Sequence, residues 1–307
     1  MTEFDSRTDL NVLGGPVRLY RAGRSGPPVL LLHGAMLDTA HGVWHDVVPE
    51  LANKHRVYVL DLPRHGDSRP WKGVLGDEFF TRFILELLNQ LGLTKVALVG
   101  LSMGGGIAHR FALAHPSRVS ALVAIEPGGV ERKRPYQFPI WAVQRLPRLL
   151  RLSTWLLARS EKYLRSSMSG HLTKGPATPG FERIIALAMQ EARRKHLHGE
   201  KALDDWQIES FGAFRMRYHS TPVLHRLTSP ALWIVAGRSN GAIDPAAIAA
   251  AHDATPNSRI TTIAEAGHIV PYDCPDELNE VIRDFFTEVF EESSEPSAEN
   301  AIEENLE

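Results

Sequence analysis

One serine in this chain is set where its hydroxyl could act as a nucleophile. Gly100-Leu101-Ser102-Met103-Gly104-Gly105 follows an apolar run at 96–99 and precedes a helical pattern at 107–115. A strand, a sharp turn and a helix in that order lift a serine hydroxyl clear of a sheet. The turn forces strained backbone on the serine, so the positions two before and two after it must carry almost no side chain. Both are glycine here. The chemistry expected is attack on a carbonyl carbon, whose tetrahedral oxyanion needs two aimed donors. The Met103 N–H is one, at a helix start where the dipole favours negative charge. The second is expected from His33-Gly34-Ala35-Met36, after the apolar run 29–32, with the Ala35 N–H as candidate. A serine hydroxyl also needs a positioned base near neutral pH. The chain has 14 histidines, and one of them, His268, directly follows the last apolar strand run.

These groups can meet only if the chain folds to bring them together, and the apolar pattern shows how. Runs rich in Val, Ile and Leu at 29–32, 57–60, 96–99, 121–125, 231–235 and 259–263 read as strands, most ending at Gly, Pro or Asp. Segments 10–13 and 17–20 flank Gly14-Gly15 as an antiparallel hairpin, and helical periodicity appears near 78–91, 103–115, 245–252 and 276–290. Short apolar strands alternating with helices predict a largely parallel sheet covered on both faces. The alternation breaks between about 131 and 222, where helical patterns at 140–157 and 181–198 dominate. From 131 to 200 there are 14 Lys and Arg against 5 Asp and Glu. An all-helical insertion of this kind sits over the carboxyl ends of the strands, where ligands bind. The expected organisation is therefore a core of 1–130 plus 223–290, a helical cap over 131–222, and a disordered acidic tail over 291–307.

With His33-Gly34, Asp61-Leu62-Pro63-Arg64-His65-Gly66-Asp67-Ser68, Gly100 to Gly105 and Gly267-His268 in this order and spacing, the chain resembles the α/β-hydrolase superfamily over about residues 15–290. The resemblance implies an eight-stranded, mostly parallel sheet with the cap inserted after the sixth strand. It implies that 61–68 is a structural turn, so that Asp61, His65 and Asp67 are not catalytic. It also puts the superfamily's catalytic histidine at His268. Dehalogenase and epoxide hydrolase members carry Asp where this chain has Ser102, so the serine argues against both chemistries.

The acid that orients the base departs from the superfamily's usual pattern. Most relatives carry an Asp three residues after the glycine closing the seventh strand; here Gly237-Arg238-Ser239-Asn240 offers an amide. An amide could orient an imidazole but could not stabilise its cation by charge. Glu126 ends the sixth strand, the place from which a subset of the superfamily, some haloalkane dehalogenases among them, takes its acid. Asp244 is the alternative, although Asp before Pro245 is also an ordinary helix start. Glu126 is preferred.

Composition narrows the function classes. The 307 residues carry 34 basic and 36 acidic side chains, so bulk charge gives no reason to expect a nucleic-acid partner. One cysteine, Cys274, excludes an internal disulfide and fits a reducing, cytoplasmic setting. No basic start followed by an apolar run reads as a secretion signal, and no apolar stretch nears the ~18 residues of a membrane span. No metal cluster or dinucleotide fingerprint is present, so no cofactor is expected. In the cap, Trp141, Leu146, Leu149, Leu152, Trp155 and Leu156 interleave with Arg145, Arg148, Arg151 and Arg159. That pattern fits an apolar ester substrate, an ordinary amphipathic packing helix, or contact with a membrane surface. Pro147 would interrupt a long helix there. Three readings follow: a carboxylic-ester hydrolase; carbon–carbon bond hydrolysis or cofactor-free oxidation on the same scaffold; and a binding or receptor protein with little catalysis. Composition gives no indication of oligomeric state.

Overall fold

A computed structural model describes residues 4–239 and 241–292. The chain runs β1 (Ser6–Val12), β2 (Gly15–Ala22), β3 (Pro28–Leu32), α1 (Ala40–Val43), α2 (Val48–Ala52), β4 (Arg56–Leu60), α3 (Asp77–Gln90), β5 (Val96–Leu101), α4 (Met103–Ala114) and β6 (Val119–Ile125). It continues through α5 (Gln137–Gln144), α6 (Pro147–Arg159), α7 (Glu161–His171), α8 (Phe181–Leu197) and α9 (Asp205–Ser210) to β7 (Ala231–Ala236). The last elements are α10 (Pro245–Asp253), β8 (Ser258–Ile263), α11 (Val270–Asp273) and α12 (Pro275–Glu292). The strands form one eight-stranded sheet in the order β1-β2-β4-β3-β5-β6-β7-β8. The strand β2 alone runs against the others, pairing antiparallel with β1 and β4. The sheet expected from the resemblance is the one found.

The alternation of side chains along each central strand divides the core in two. Val29, Leu31, Val57, Val59, Ala97 and Val99 face one layer. Leu30, Leu32, Tyr58, Leu60, Val96 and Leu98 face the other. Both faces are buried, which is why β3, β5 and β6 read as continuous apolar runs rather than alternating ones. The helix α3 covers its layer with Phe80, Phe83, Ile84, Leu87 and Leu88, spaced as one face of a helix. At the sheet edge, β8 is half exposed and carries Arg259, a charge that discourages pairing with another chain.

Five helices, α5 to α9, lie between β6 and β7. The single helical pattern expected over 140–157 is two helices, α5 and α6, because Pro147 opens α6 and Leu146 leaves helical geometry before it. Proline has no N–H to continue the preceding helix and fits the first helical turn. Buried ion pairs tie this helical insert to the loops of the sheet. Arg69 pairs with Glu191 of α8 and with Glu200, and Arg64 meets Asp205 at 2.5 Å. The helix α12 includes residues 291 and 292, while the rest of the expected tail, 293–307, lies outside the described residues, as does Asn240. Among the described residues, no helix is long and apolar enough to cross a membrane.

Candidate active site

Ser102 sits between β5 and α4 with φ 52° and ψ −112°, outside the comfortable range of a residue with a side chain. Its backbone is locked by its neighbours: its N–H donates to Ile125 O at 2.9 Å, and its carbonyl accepts from Gly106 and Gly128, each at 2.9 Å. The two flanking glycines are required by close approach. A Cβ on Gly100 would lie 2.4 Å from Gly104 O, and one on Gly104 would lie 2.1 Å from Leu32 O. The turn is thus wedged between β3 and β6 and cannot relax.

His268 lies in the loop after β8. Its Nε2 is 3.0 Å from Ser102 Oγ, and its Nδ1 is 3.3 Å from Glu126 Oε2. Glu126 is fully buried and sits just past β6 at φ 45°, a second non-glycine residue in the left-handed region. Its carboxylate is held by two further donors: the Ala236 N–H at 2.8 Å to Oε1 and the Ser239 hydroxyl at 2.7 Å to Oε2. Ser239 follows the end of β7, the neighbour of β6 in the sheet, and the sequence reading passed over it in looking for an acid one residue later. Asp244, the alternative acid, accepts from Ala246 N at 3.0 Å as the N-cap of α10, and its own N–H donates to Glu131. That is a helix start, and among the described residues the carboxylate bonded to His268 is Glu126.

The segment 61–68 is a turn tied by its own side chains. Asp61 accepts from Ala40 N at 2.9 Å and Asp67 N at 3.0 Å. Asp67 binds Arg18 and Arg194. His65 lies 3.3 Å from Asp204. Among the described residues, none of these three side chains is bonded to Ser102, His268 or Glu126. His33 spans two loops, its Nδ1 2.7 Å from Gly34 O and its Nε2 accepting from Leu62 N at 2.9 Å. Burial, and then the neighbouring His65, hold its pKa well below the usual histidine range.

Ala35 lines the cavity at Ser102, Met103 follows Ser102 as the first residue of α4, and among the described residues neither N–H donates to a backbone carbonyl outside its own helix. Two acids fix the Ala35 loop. Asp38 accepts from Gly34 N at 3.0 Å. Asp204, the N-cap of α9 in the helical insert, accepts from Met36 N at 2.7 Å, and Met36 has φ 67°. Asp204 is also bound by Lys195 Nζ at 2.7 Å. Burial alone would raise the Asp204 pKa, but Lys195 and His65 outweigh it and hold the carboxyl far below the usual range. At Asp38 burial outweighs the opposing pull of His65 and the Gly34 N–H and pushes the carboxyl up to about 7. Neither acid was singled out in the sequence, because each acts through a backbone N–H that no spacing rule reveals. A cavity of about 140 Å³ opens at Ser102, walled by Leu101, Leu157, Met168, Ile184, Leu187 and Ala188. His171, at the end of α7, lines it too; desolvation first, and His268 second, lower its pKa. Gly267, beside the base, donates to Asp273 at 2.9 Å, and Asp273 also accepts from Thr173 N of the insert. Among the described residues, no group of three His, Cys, Asp or Glu is positioned to hold a metal ion.

This arrangement can raise the nucleophilicity of a serine by proton transfer to an oriented imidazole, with two N–H groups available to a developing oxyanion. The chain is 37 % identical over 109 residues to a pimeloyl-[acyl-carrier protein] methyl ester esterase of Aeromonas hydrophila, a match covering 36 % of this chain and 41 % of that one. The alignments to the first curated relatives thus span well under two thirds of their length, 41 % and 33 %. A 2-hydroxy-6-oxo-2,4-heptadienoate hydrolase of Pseudomonas putida is 29 % identical over 235 residues, covering 73 % of this chain and 80 % of its own. Among solved structures, a thermophilic esterase from Thermogutta terrifontis superposes with a TM-score of 0.73 at 26 % identity, covering 92 % of this chain and 99 % of its own. The family model described as alpha/beta hydrolase fold matches residues 27–275, and the chain belongs to that family.

Proposed function

We propose that this protein is a serine hydrolase that cleaves carboxylic esters with an apolar acyl chain through an acyl-enzyme on Ser102. The observation that carries the reading is the continuous chain Ser102 Oγ–His268–Glu126, at 3.0 and 3.3 Å. In this mechanism Ser102 Oγ attacks the ester carbonyl carbon as its proton passes to His268 Nε2. The Ala35 and Met103 N–H groups receive the oxyanion, and Glu126 stabilises the imidazolium through Nδ1. Collapse breaks the carbon–oxygen bond, and the leaving alcohol takes the proton from His268. Water, deprotonated by the same imidazole, then attacks the acyl carbon and frees the acid and Ser102. The apolar walls of the cavity support an apolar acyl chain, and the helical insert, which supplies Leu157, Met168 and Ile184, acts as its cap. The cytoplasmic setting inferred from the single cysteine belongs to the same proposal.

A second reading has its own support, since the heptadienoate hydrolase aligns over far more of both chains than the methyl ester esterase does. A substrate of that description contains no ester, so its hydrolysis breaks a carbon–carbon bond and expels an enol rather than an alcohol. Steady-state turnover of p-nitrophenyl esters of increasing acyl length, beside a 2-hydroxy-6-oxo-dienoate, separates the two. Ester turnover that rises with chain length is expected. Turnover of the dienoate alone would favour the second reading, and turnover of neither would favour a binding protein.

A further inference from the structure

The outer surface of the helical insert bears a feature that ester hydrolysis does not use. On α6 the buried stripe is Leu150, Thr154, Leu157 and Ala158, which packs toward α8 and the core. A second apolar stripe, Leu149, Leu152 and Leu156, lies on the opposite side of the same helix, at the spacing of one helical face. With Phe138 and Leu146 from α5 and its exit, and Trp155 beside the stripe, these six side chains are between 39 and 53 % exposed. Leu149, Leu152, Trp155 and Leu156, grouped on the outward side of α6 rather than scattered singly, mark a surface that meets something apolar.

The charge on this face is of one sign. From 137 to 160 the chain carries Arg145, Arg148, Arg151 and Arg159 and no acidic residue. Arg151 is engaged with Gly199 O. Arg145 and Arg159 lie over the rings of Trp141 and Trp155, at 5.6 and 5.5 Å from the ring centres. Among the described residues, Arg145, Arg148 and Arg159 have no carboxylate partner, whereas Arg183 and Arg194 of α8 pair with Asp46 and Asp67 of the core. The exposed leucines of α6 therefore share their stretch of chain with arginine charge that no acidic residue of that stretch offsets.

We propose that the α5–α6 face docks on an anionic lipid bilayer, with Leu149, Leu152, Leu156 and Trp155 entering the headgroup–acyl boundary and Arg145, Arg148 and Arg159 meeting lipid phosphates. Apolar side chains backed by arginine and an interfacial tryptophan, on a helix lying along the surface, have the composition of an interfacial helix. Charge complementarity selects an anionic over a zwitterionic surface. An acidic protein would match the charge, but the leucine-rich α6 offers it an apolar stripe with few groups able to hydrogen bond. Leu157, on the inner side of α6, lines the cavity at Ser102, so the docked helix would stand between the bilayer and the site.

The test is co-sedimentation of the full chain with phosphatidylcholine vesicles, with and without about one third phosphatidylglycerol. Binding to the anionic vesicles, weakened by added salt and at least tenfold stronger than to phosphatidylcholine alone, is the expected result. Replacing Arg145→Gln, Arg148→Gln and Arg159→Gln together should lower partitioning about a hundredfold, at about fivefold for each arginine. A second variant, Leu149→Ser with Leu152→Ser and Leu156→Ser, should lose binding with its unfolding midpoint within a few degrees of the parent, since none of the three belongs to the buried stripe. Equal binding to both vesicle types, or undiminished binding by the arginine variant, would overturn the proposal. So would an absence of vesicle binding, including one in which the same face captures a soluble acidic protein.

Discussion

Glu126 brings its carboxylate to His268 by a backbone turn rather than by a long reach. At φ 45° it leaves β6 in the left-handed region, a conformation that costs a β-carbon residue on the order of 1 kcal/mol and is kept only where the surroundings insist on it. Here the surroundings are the Ala236 N–H and the Ser239 hydroxyl. Glu126→Gln keeps the shape and removes the charge; we expect kcat to fall on the order of 100- to 10,000-fold, with ester KM little changed. Asp244→Asn, which alters only a helix cap, should leave kcat within about twofold and cost about 1 kcal/mol of stability at most. Full activity in the Gln variant would refute the assignment of Glu126. That Glu126 ends a strand was legible in the sequence. Its bond to Ser239 was not, because the two are 113 positions apart and meet only through the β6–β7 pairing.

A different side chain sets a pH dependence. Asp38 is held at about 7, against an ordinary 3.8, by burial. Below the lower value it is protonated in folded and unfolded chains alike. Between the two values the unfolded chain releases a proton that the folded chain keeps, so stability contributed at low pH is lost as pH rises. Asp38→Asn escapes this loss while retaining an oxygen for the Gly34 N–H. The unfolding midpoint of the variant should therefore gain on that of the parent by several degrees from about pH 4 to about pH 7, then level off. A difference that stays constant with pH would show that Asp38 is not the titrating group.

At the scale of elements, the strands and the helices of the core were readable because apolar period and glycine punctuation act locally. Each predicted strand was found, lengthened by a residue or more, and α3, α4, α10 and α12 start within a residue of their predicted positions. The insert was less legible. Its helices bury only part of one face each, and α7 and α9 are short enough that capping and tertiary bonds decide them. What α9 does for the site appears only in three dimensions, where its N-cap Asp204 binds Met36 N and the buried Lys195 together. Asp204→Asn leaves the Lys195 ammonium uncompensated in the interior, and should cost about 3–5 kcal/mol, read as a lowered unfolding midpoint. Adding Lys195→Met to it should recover much of that loss, because removing both charges avoids stranding either. If the double variant were less stable than the sum of the two single changes, the pair would not be coupled as described.

Over the whole molecule, the site exists because the sheet order brings distant segments side by side. β5 lies between β3 and β6, so the loop bearing Ala35, the elbow bearing Ser102 and the strand end bearing Glu126 emerge together, and β8 returns His268 to them across β7. The helical insert is tied to the loops of the core through Arg69, Glu191 and Glu200 and through Arg64 and Asp205, contacts between side chains more than 100 positions apart. This convergence should make one hydroxyl unusually reactive. The most direct measurement of that reactivity is reaction of the native protein with a fluorophosphonate, followed by intact mass and peptide mapping. Displacement of fluoride by Ser102 Oγ should give a single stoichiometric adduct on the peptide containing Ser102, absent from Ser102→Ala and formed far more slowly in His268→Ala. A folded protein that forms no adduct, or one carried by another residue while Ser102 stays free, would contradict it.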